Sequence, residues 1–206
     1  MKVRTEARRT AIIEAATELF KEMGYERASM NELAKRFGGS KATLYGYFRS
    51  KEELFVAVVE AVATRHLLDA TQELAVEVVD GQPELETRLK RFGERMLKVL
   101  THDESALAVY RMVVAEAGRS DVGQLFYDAG PAAAMEAIAG LMAAAMDRGE
   151  LHRSDPKIAA AHFAALVTAE SDRRLYQKDP PPLTIKQIRQ MVSRAVETFM
   201  GGAAQR

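Results

Sequence analysis

Apolar side chains recur every three or four residues along almost the whole chain, and no alternating Val/Ile/Thr run bounded by turns interrupts them. That period predicts an all-α protein. The first helix is expected over Glu6–Met23, with Ile12, Ala16, Leu19, Phe20 and Met23 as its buried stripe and Gly24 as its stop. Ser29 stands three residues before Glu32, the spacing of a capping box, so a second helix starts at Met30 and carries Leu33, Ala34 and Phe37. Gly38-Gly39 ends it, because glycine reaches positive φ at little steric cost. Ser40 offers the next N-cap, and Lys41 to Tyr47 make barely two turns, anchored by Leu44 and Phe48. Ser50 and Glu53 cap a fourth helix whose apolar pattern continues from Lys51 to Val79. Asp80-Gly81-Gln82-Pro83 breaks it.

A fifth helix, from Pro83 to Leu100, carries Leu85, Leu89, Phe92, Met96 and Val99. Thr101 and Glu104 have capping-box spacing for a sixth, which reaches Ala117 before Gly118 stops it. A seventh starts near Asp121, bends at Gly130-Pro131, where proline cannot donate to the helix ladder, and runs to Arg148. Asp155-Pro156 opens an eighth, expected to reach Gln177. Pro180-Pro181-Pro182 forces an extended linker. Leu183-Thr184-x-x-Gln187-Ile188 then combines a capping box with a hydrophobic staple for a ninth helix, from Ile185 to Met200, followed by a tail expected to fray. The chain has no internal repeat.

A helix, a glycine turn and a second short helix with a polar front make the helix-turn-helix pattern. The second helix of such a unit lies in the DNA major groove with its N-terminal residues at base edges. Here Ala42 and Thr43 allow close approach, and a threonine can meet a thymine methyl or a base acceptor. Lys41, Tyr45, Tyr47 and Lys51 are the right types for phosphate oxygens, and the two N-cap serines, Ser29 and Ser40, complete the set of DNA-binding candidates.

The stretch SMNELAKRFGGSKATLYGYFRSKEELF, from Ser29 to Phe55, resembles the N-terminal signature of the TetR/AcrR family of transcription regulators. The agreement lies at Ser29, Leu33, Ala34, Gly38, Ser40, Thr43, Tyr45, Tyr47, Phe48, Ser50, Lys51 and Leu54; the departures are Phe37 and Gly39, where the family usually has alanine and valine. Val109 to Leu151 is similar to the C-terminal domain of the AefR-like subgroup. The resemblance implies a three-helix helix-turn-helix head over residues 1–50 and a six-helix ligand-binding and dimerisation body over residues 51–206. It also implies a homodimer through the helices at Ile158–Gln177 and Ile185–Met200, acting on double-stranded DNA at a palindromic operator. The wide apolar circumference of the eighth helix fits that role, as it fits the central helix of a monomer core.

Charge sharpens the DNA reading. The net charge of the 206 residues is zero, yet residues 1–51 hold 11 Lys/Arg against 6 Asp/Glu, whereas residues 52–206 hold 18 against 23. A basic head on an acidic body suits a protein that meets phosphate at one end, although chance clustering of solvated charge gives the same count. Arg4, Arg8 and Arg9 at the start of the first helix are either contacts to backbone phosphate or the minor groove, or an ordinary solvated arm. The absence of cysteine excludes disulfides and thiolate metal sites. With a charged N-terminus and no 18-residue apolar run, the expected setting is the cytoplasm, without membrane contact.

By the same resemblance, a pocket for a small-molecule inducer lies among the fourth to seventh helices. Val62, His66, Phe92, Met96, Tyr110, Val113, Glu116, Phe126, Tyr127 and Met135 are its candidate lining, with His66 and Glu116 as polar contacts. The same residues at helical spacing also suit plain core. A bulky, largely apolar ligand is expected, and no cofactor or metal. None of the four histidines falls in a metal spacing such as H-E-x-x-H, and neither a P-loop nor G-x-S-x-G is present, so an enzyme is not expected. The rival to a DNA-binding repressor is an α-helical adaptor that binds protein through the Tyr45-Tyr47 surface.

Overall fold

The computed structural model describes residues 5–64, 84–102 and 104–204. They form ten α-helices: α1 (Glu6–Met23), α2 (Met30–Phe37), α3 (Lys41–Tyr47), α4 (Lys51–Val59), α5 (Leu85–His102), α6 (Glu104–Glu116), α7 (Val122–Asp128), α8 (Pro131–Asp147), α9 (Pro156–Ala169) and α10 (Ile185–Ala203). Among the described residues there is no β-strand, and no single helix is long and apolar enough to cross a membrane. The helices divide into two compact units. One holds α1–α4 with α6 and α7; the other holds α5 with α8–α10.

The caps of the first unit are local and legible. Ser29, Ser40 and Ser50 each accept the backbone N–H three residues on, from Glu32, Thr43 and Glu53, all at 3.1 Å. Each satisfies one of the orphan donors at a helix start. Glu53 completes no reciprocal box with Ser50; its carboxylate accepts from Arg49 N at 2.6 Å. Gly38 closes α2 in the left-handed region (φ 67°, ψ 26°). Ile12, Leu19, Phe20, Leu33, Leu44, Phe48, Phe55 and Val58 fill the core beneath, with Val109 and Val113 of α6 and Val122 of α7. Phe20, Tyr25 and Phe55 meet with ring centroids 5.0–5.7 Å apart, and the two contacts of Phe55 are edge-on, the arrangement that suits aromatic quadrupoles.

In the second unit Phe163 is fully buried between Phe92 and Phe199, with centroids at 6.4 and 5.6 Å. Gly93 lets α5 press onto its neighbours: a Cβ there would stand 2.8 Å from Val192 Cγ1 and 3.4 Å from Val167 Cγ2. The capping box at Thr184 and Gln187 is present in both directions.

Several expectations are corrected. The eighth predicted helix stops at Ala169, not Gln177; Ser171 Oγ donates to Thr168 O, and a 3₁₀ turn, Asp172–Tyr176, follows with Arg174 buried and bonded to Pro180 O. The bend expected at Gly130-Pro131 is a full break: α7 ends at Asp128 and α8 starts at Pro131. Thr101 lies inside α5 and donates to Leu97 O at 2.6 Å, so its hydroxyl is not the cap of α6. The tail from Gly201 does not fray at once. The last helix runs to Ala203, whose carbonyl accepts from His152 N at 2.8 Å, and Ala204 bridges Leu151. After Val59 the fourth helix passes into a π-helical turn, Glu60–Thr64. Its expected continuation to Val79, the break at Asp80–Pro83, Arg4 and His66 lie outside the described residues.

Candidate nucleic-acid interface

The front of α3 is set by its cap and its anchors. Leu44 is fully buried and Phe48 nearly so, which turns the other side of this two-turn helix outward. Ser40, Lys41 and Ala42 are exposed, and Tyr45 is 43% exposed. Lys41 Nζ lies 5.7 Å from the centre of the Tyr45 ring, within cation–π range. Thr43 is half-buried, and its hydroxyl lies 2.9 Å from Ser40 Oγ. Ser29 is exposed at the start of α2, its hydroxyl engaged by the cap.

Two candidate phosphate ligands are engaged inside the unit. Tyr47 is half-buried, and its phenol oxygen accepts the backbone N–H of Thr5 at 3.2 Å, pinning the start of α1 against α3. Lys51 is also half-buried; its Nζ donates to Tyr25 O at 3.1 Å and stands 4.1 Å from the centre of the Tyr25 ring. The Tyr25 hydroxyl donates to Glu52 Oε1 at 3.4 Å. Burial, then the charge of Glu52, pushes the Tyr25 phenol well above the ordinary tyrosine range. Glu52 is held below the usual carboxylate range by its own backbone N–H and by the Ser50 hydroxyl.

The α1 start contributes more than a solvated arm. Arg8 lies over Phe37 at 5.7 Å and Arg9 over Phe48 at 5.2 Å, so both guanidinium groups are laid on the head's aromatic rings. Thr5 caps this helix and meets Tyr47, a pair the linear pattern did not single out. The available signal was a threonine directly before an acidic first turn.

Nine of the ten candidate pocket residues are described, and they fall in both units. Val62, Tyr110, Val113, Glu116, Phe126 and Tyr127 belong to the first unit; Phe92, Met96 and Met135 belong to the second, where Phe92 is core and the two methionines pack on it. Within the first unit, Tyr110 and Phe126 meet at 5.7 Å, Val62 and Phe126 are partly buried on the core, and Tyr127 is 47% exposed. Val113 is core. Glu116 is turned onto the α1–α2 turn, where its Oε2 accepts from Glu26 N at 3.1 Å. Among the described residues no cluster of three or more His, Asp or Glu side chains could hold a metal ion.

A capped two-turn helix with an exposed polar front, set after a glycine turn on a three-helix core, defines a helix-turn-helix protein. Comparison with known proteins carries this further. Residues 12–58 match the family model described as bacterial regulatory proteins, tetR family, and residues 87–202 match the C-terminal domain of AefR-like transcriptional repressors. The chain belongs to the TetR family of transcriptional regulators, with an AefR-like C-terminal domain.

The flavonoid-responsive regulator FrrA is 30% identical in its solved structure, with 98% of this chain and all of FrrA covered and a TM-score of 0.73. A TetR-family regulator of Mesorhizobium loti MAFF303099 gives 27% identity, a TM-score of 0.74 and coverage of 98% and 100%. The transcriptional activator FasR of Mycolicibacterium smegmatis is 33% identical over 106 residues, 52% of this chain and 45% of FasR. The chain spans about half the length, or less, of the curated relatives it matches.

Proposed function

We propose that this chain is a cytoplasmic, dimeric repressor whose residues 1–50 read a palindromic operator and whose remainder dimerises and binds an inducer. The observation that carries this is the front of α3, where Lys41, Ala42 and Tyr45 stand exposed on a helix too short to serve any large core. Ala42 and Thr43 serve base edges, and Lys41 and Tyr45 serve phosphate. Tyr47 and Lys51 brace the head, since their polar atoms already have partners. Repression is favoured over activation by the AefR-like repressor domain, although FasR is named an activator.

Dimerisation is supported by a surface groove of about 700 Å³ along α9 and α10. Ile158, Ala165, Leu166, Ala169, Thr198 and Gly202 line it, and Ile158 is 53% exposed. Small residues there let a second copy approach closely, and a twofold pair of short reading helices spans two half-sites. For the ligand, the Tyr110–Phe126 ring pair in the first unit offers a stacking face for a bulky, largely apolar molecule. FrrA's response to flavonoids makes a flavonoid the first probe.

The test is selection of binding sites from random duplexes by the purified protein, followed by flavonoid titration of the complex. The expected product is a palindrome released by ligand. A random pool left unenriched rejects DNA reading. Sedimentation of Ala165→Glu should give a monomer, and an undisturbed dimer removes α9 from the interface.

A further inference from the structure

The turn between α1 and α2 gathers attachments from two other helices. Tyr25 holds the start of α4 through the Lys51 ammonium, on its carbonyl and its ring, and through Glu52 on its hydroxyl. The residues on either side hold the end of α6. Glu116, the last residue of that helix, accepts the backbone N–H of Glu26 with Oε2. Its Oε1 lies against Gly24, so close that a Cβ at Gly24 would collide with it. Gly24 also has φ 77°, a backbone conformation that favours glycine, so the carboxylate meets a position where no Cβ stands in its way. Three consecutive residues thus clamp two helices that also pack on the head through apolar side chains.

We propose that Glu116 is a positioning residue that ties α6 to the DNA-reading head, so that a shift of α6 is passed through the Gly24–Glu26 turn to α2 and α3. The inference rests on the DNA-binding function proposed above. Apolar packing of Val109 and Val113 fixes the distance between α6 and the core but tolerates sliding. A directed hydrogen bond at the helix end fixes its register. The acceptor meets a neutral amide, so the role needs an oxygen at that position and not a charge. Glutamine should therefore replace Glu116, and alanine should not.

Linkage makes this testable without the inducer. If the position of α6 alters DNA affinity, DNA must alter α6 by the same free energy. The amides of Ala117, Arg119 and Ser120, which close the end of α6 on Val113 O and Glu116 O at 2.8–3.1 Å, report that end. The experiment is amide hydrogen exchange of the full chain, with and without the duplex that the wild type selects. In the wild type, duplex should slow exchange at 117–120. In Glu116→Ala, the Glu26 amide should exchange about fivefold faster, the factor that loss of one ordinary hydrogen bond gives, and the duplex effect at 117–120 should vanish. Glu116→Gln should keep both behaviours. Protection of buried amides in α1 shows that each variant is folded; a misfolded alanine variant leaves the decision to Glu116→Gln and Glu116→Asp, whose shorter arm should lose the effect. A duplex response at 117–120 that survives in Glu116→Ala, or is absent from the wild type, overturns the proposal. A wild type that selects no duplex removes the DNA-binding function and this role with it, while the Glu26 amide still tells whether the tie exists.

Discussion

Replacing Lys41 by alanine separates charge from base reading at the interface. Lys41 is exposed at the first position of α3, and among the described residues no carboxylate pairs with it; its nearest polarisable neighbour is the Tyr45 ring at 5.7 Å. Its removal should leave the fold intact, because Ser40 caps the helix through Thr43 N without it. Each phosphate contact contributes about 0.9 to the slope of log K against log salt, so a dimer that loses one per half-site should flatten by about 1.8. Over a fourfold rise in salt, from about 50 to about 200 mM, that difference amounts to roughly twelvefold in affinity. Lys41→Ala should therefore bind clearly more weakly at the lower salt and close most of the gap at the higher. The assay is fluorescence anisotropy of a labelled duplex carrying the selected palindrome, repeated on a scrambled duplex. The loss should be the same on both. Thr43→Ala should instead weaken the palindrome alone, by about 1–3 kcal/mol for each base pair that the side chain reads. A Lys41→Ala slope equal to that of the wild type, or equal losses from both variants on every sequence, refutes this division of labour.

Three further outcomes concern the fold. Phe163→Ala, which empties the space between Phe92 and Phe199, should destabilise the chain by about 4 kcal/mol in urea denaturation. Gly93→Val should cost about 2 kcal/mol by the same measurement, since its side chain would overlap Val192 and Val167. Tyr25 makes stability sensitive to alkali. Its folded-state value is raised above the ordinary value near 10, so the unfolded chain ionises first; the stability it contributes is whole below about pH 10 and is lost as pH rises toward the folded value. Tyr25→Phe should flatten that limb by up to about 1.4 kcal/mol per pH unit, seen as urea midpoints that fall less steeply above about pH 10.

The fold was legible where causes are local. Ser29, Ser40, Ser50 and Thr184 cap helices at the expected positions because donor and acceptor lie within three residues of each other. Thr101 shows how such a signal misleads: the spacing to Glu104 suits a box, but its hydroxyl found the Leu97 carbonyl four residues back. Residue types at the front of α3 were readable for the same local reason, since Leu44 and Phe48 fix which side is buried. Tyr47, Lys51 and Glu116 could not be placed from the pattern. Their partners, Thr5, Tyr25 and Glu26, lie 42, 26 and 90 residues away, and no periodicity reports a contact made by tertiary packing. The end of α9 failed for a further reason: apolar spacing persists through Leu175, while the chain turns at Ser171 to satisfy buried polar groups.

The joining of the chain's last helix to the loop before α9 has a practical side. Leu151 is almost wholly hidden, and the backbone that meets it comes from Ala203 and Ala204, the final described residues. Affinity handles and reporter fusions appended there would pull on a seam and not on a loose end. Shortening the protein at Met200 would strip His152 of its acceptor and uncover an aliphatic side chain to water. Purification handles for binding work are better placed on a spacer, with the closing residues kept whole.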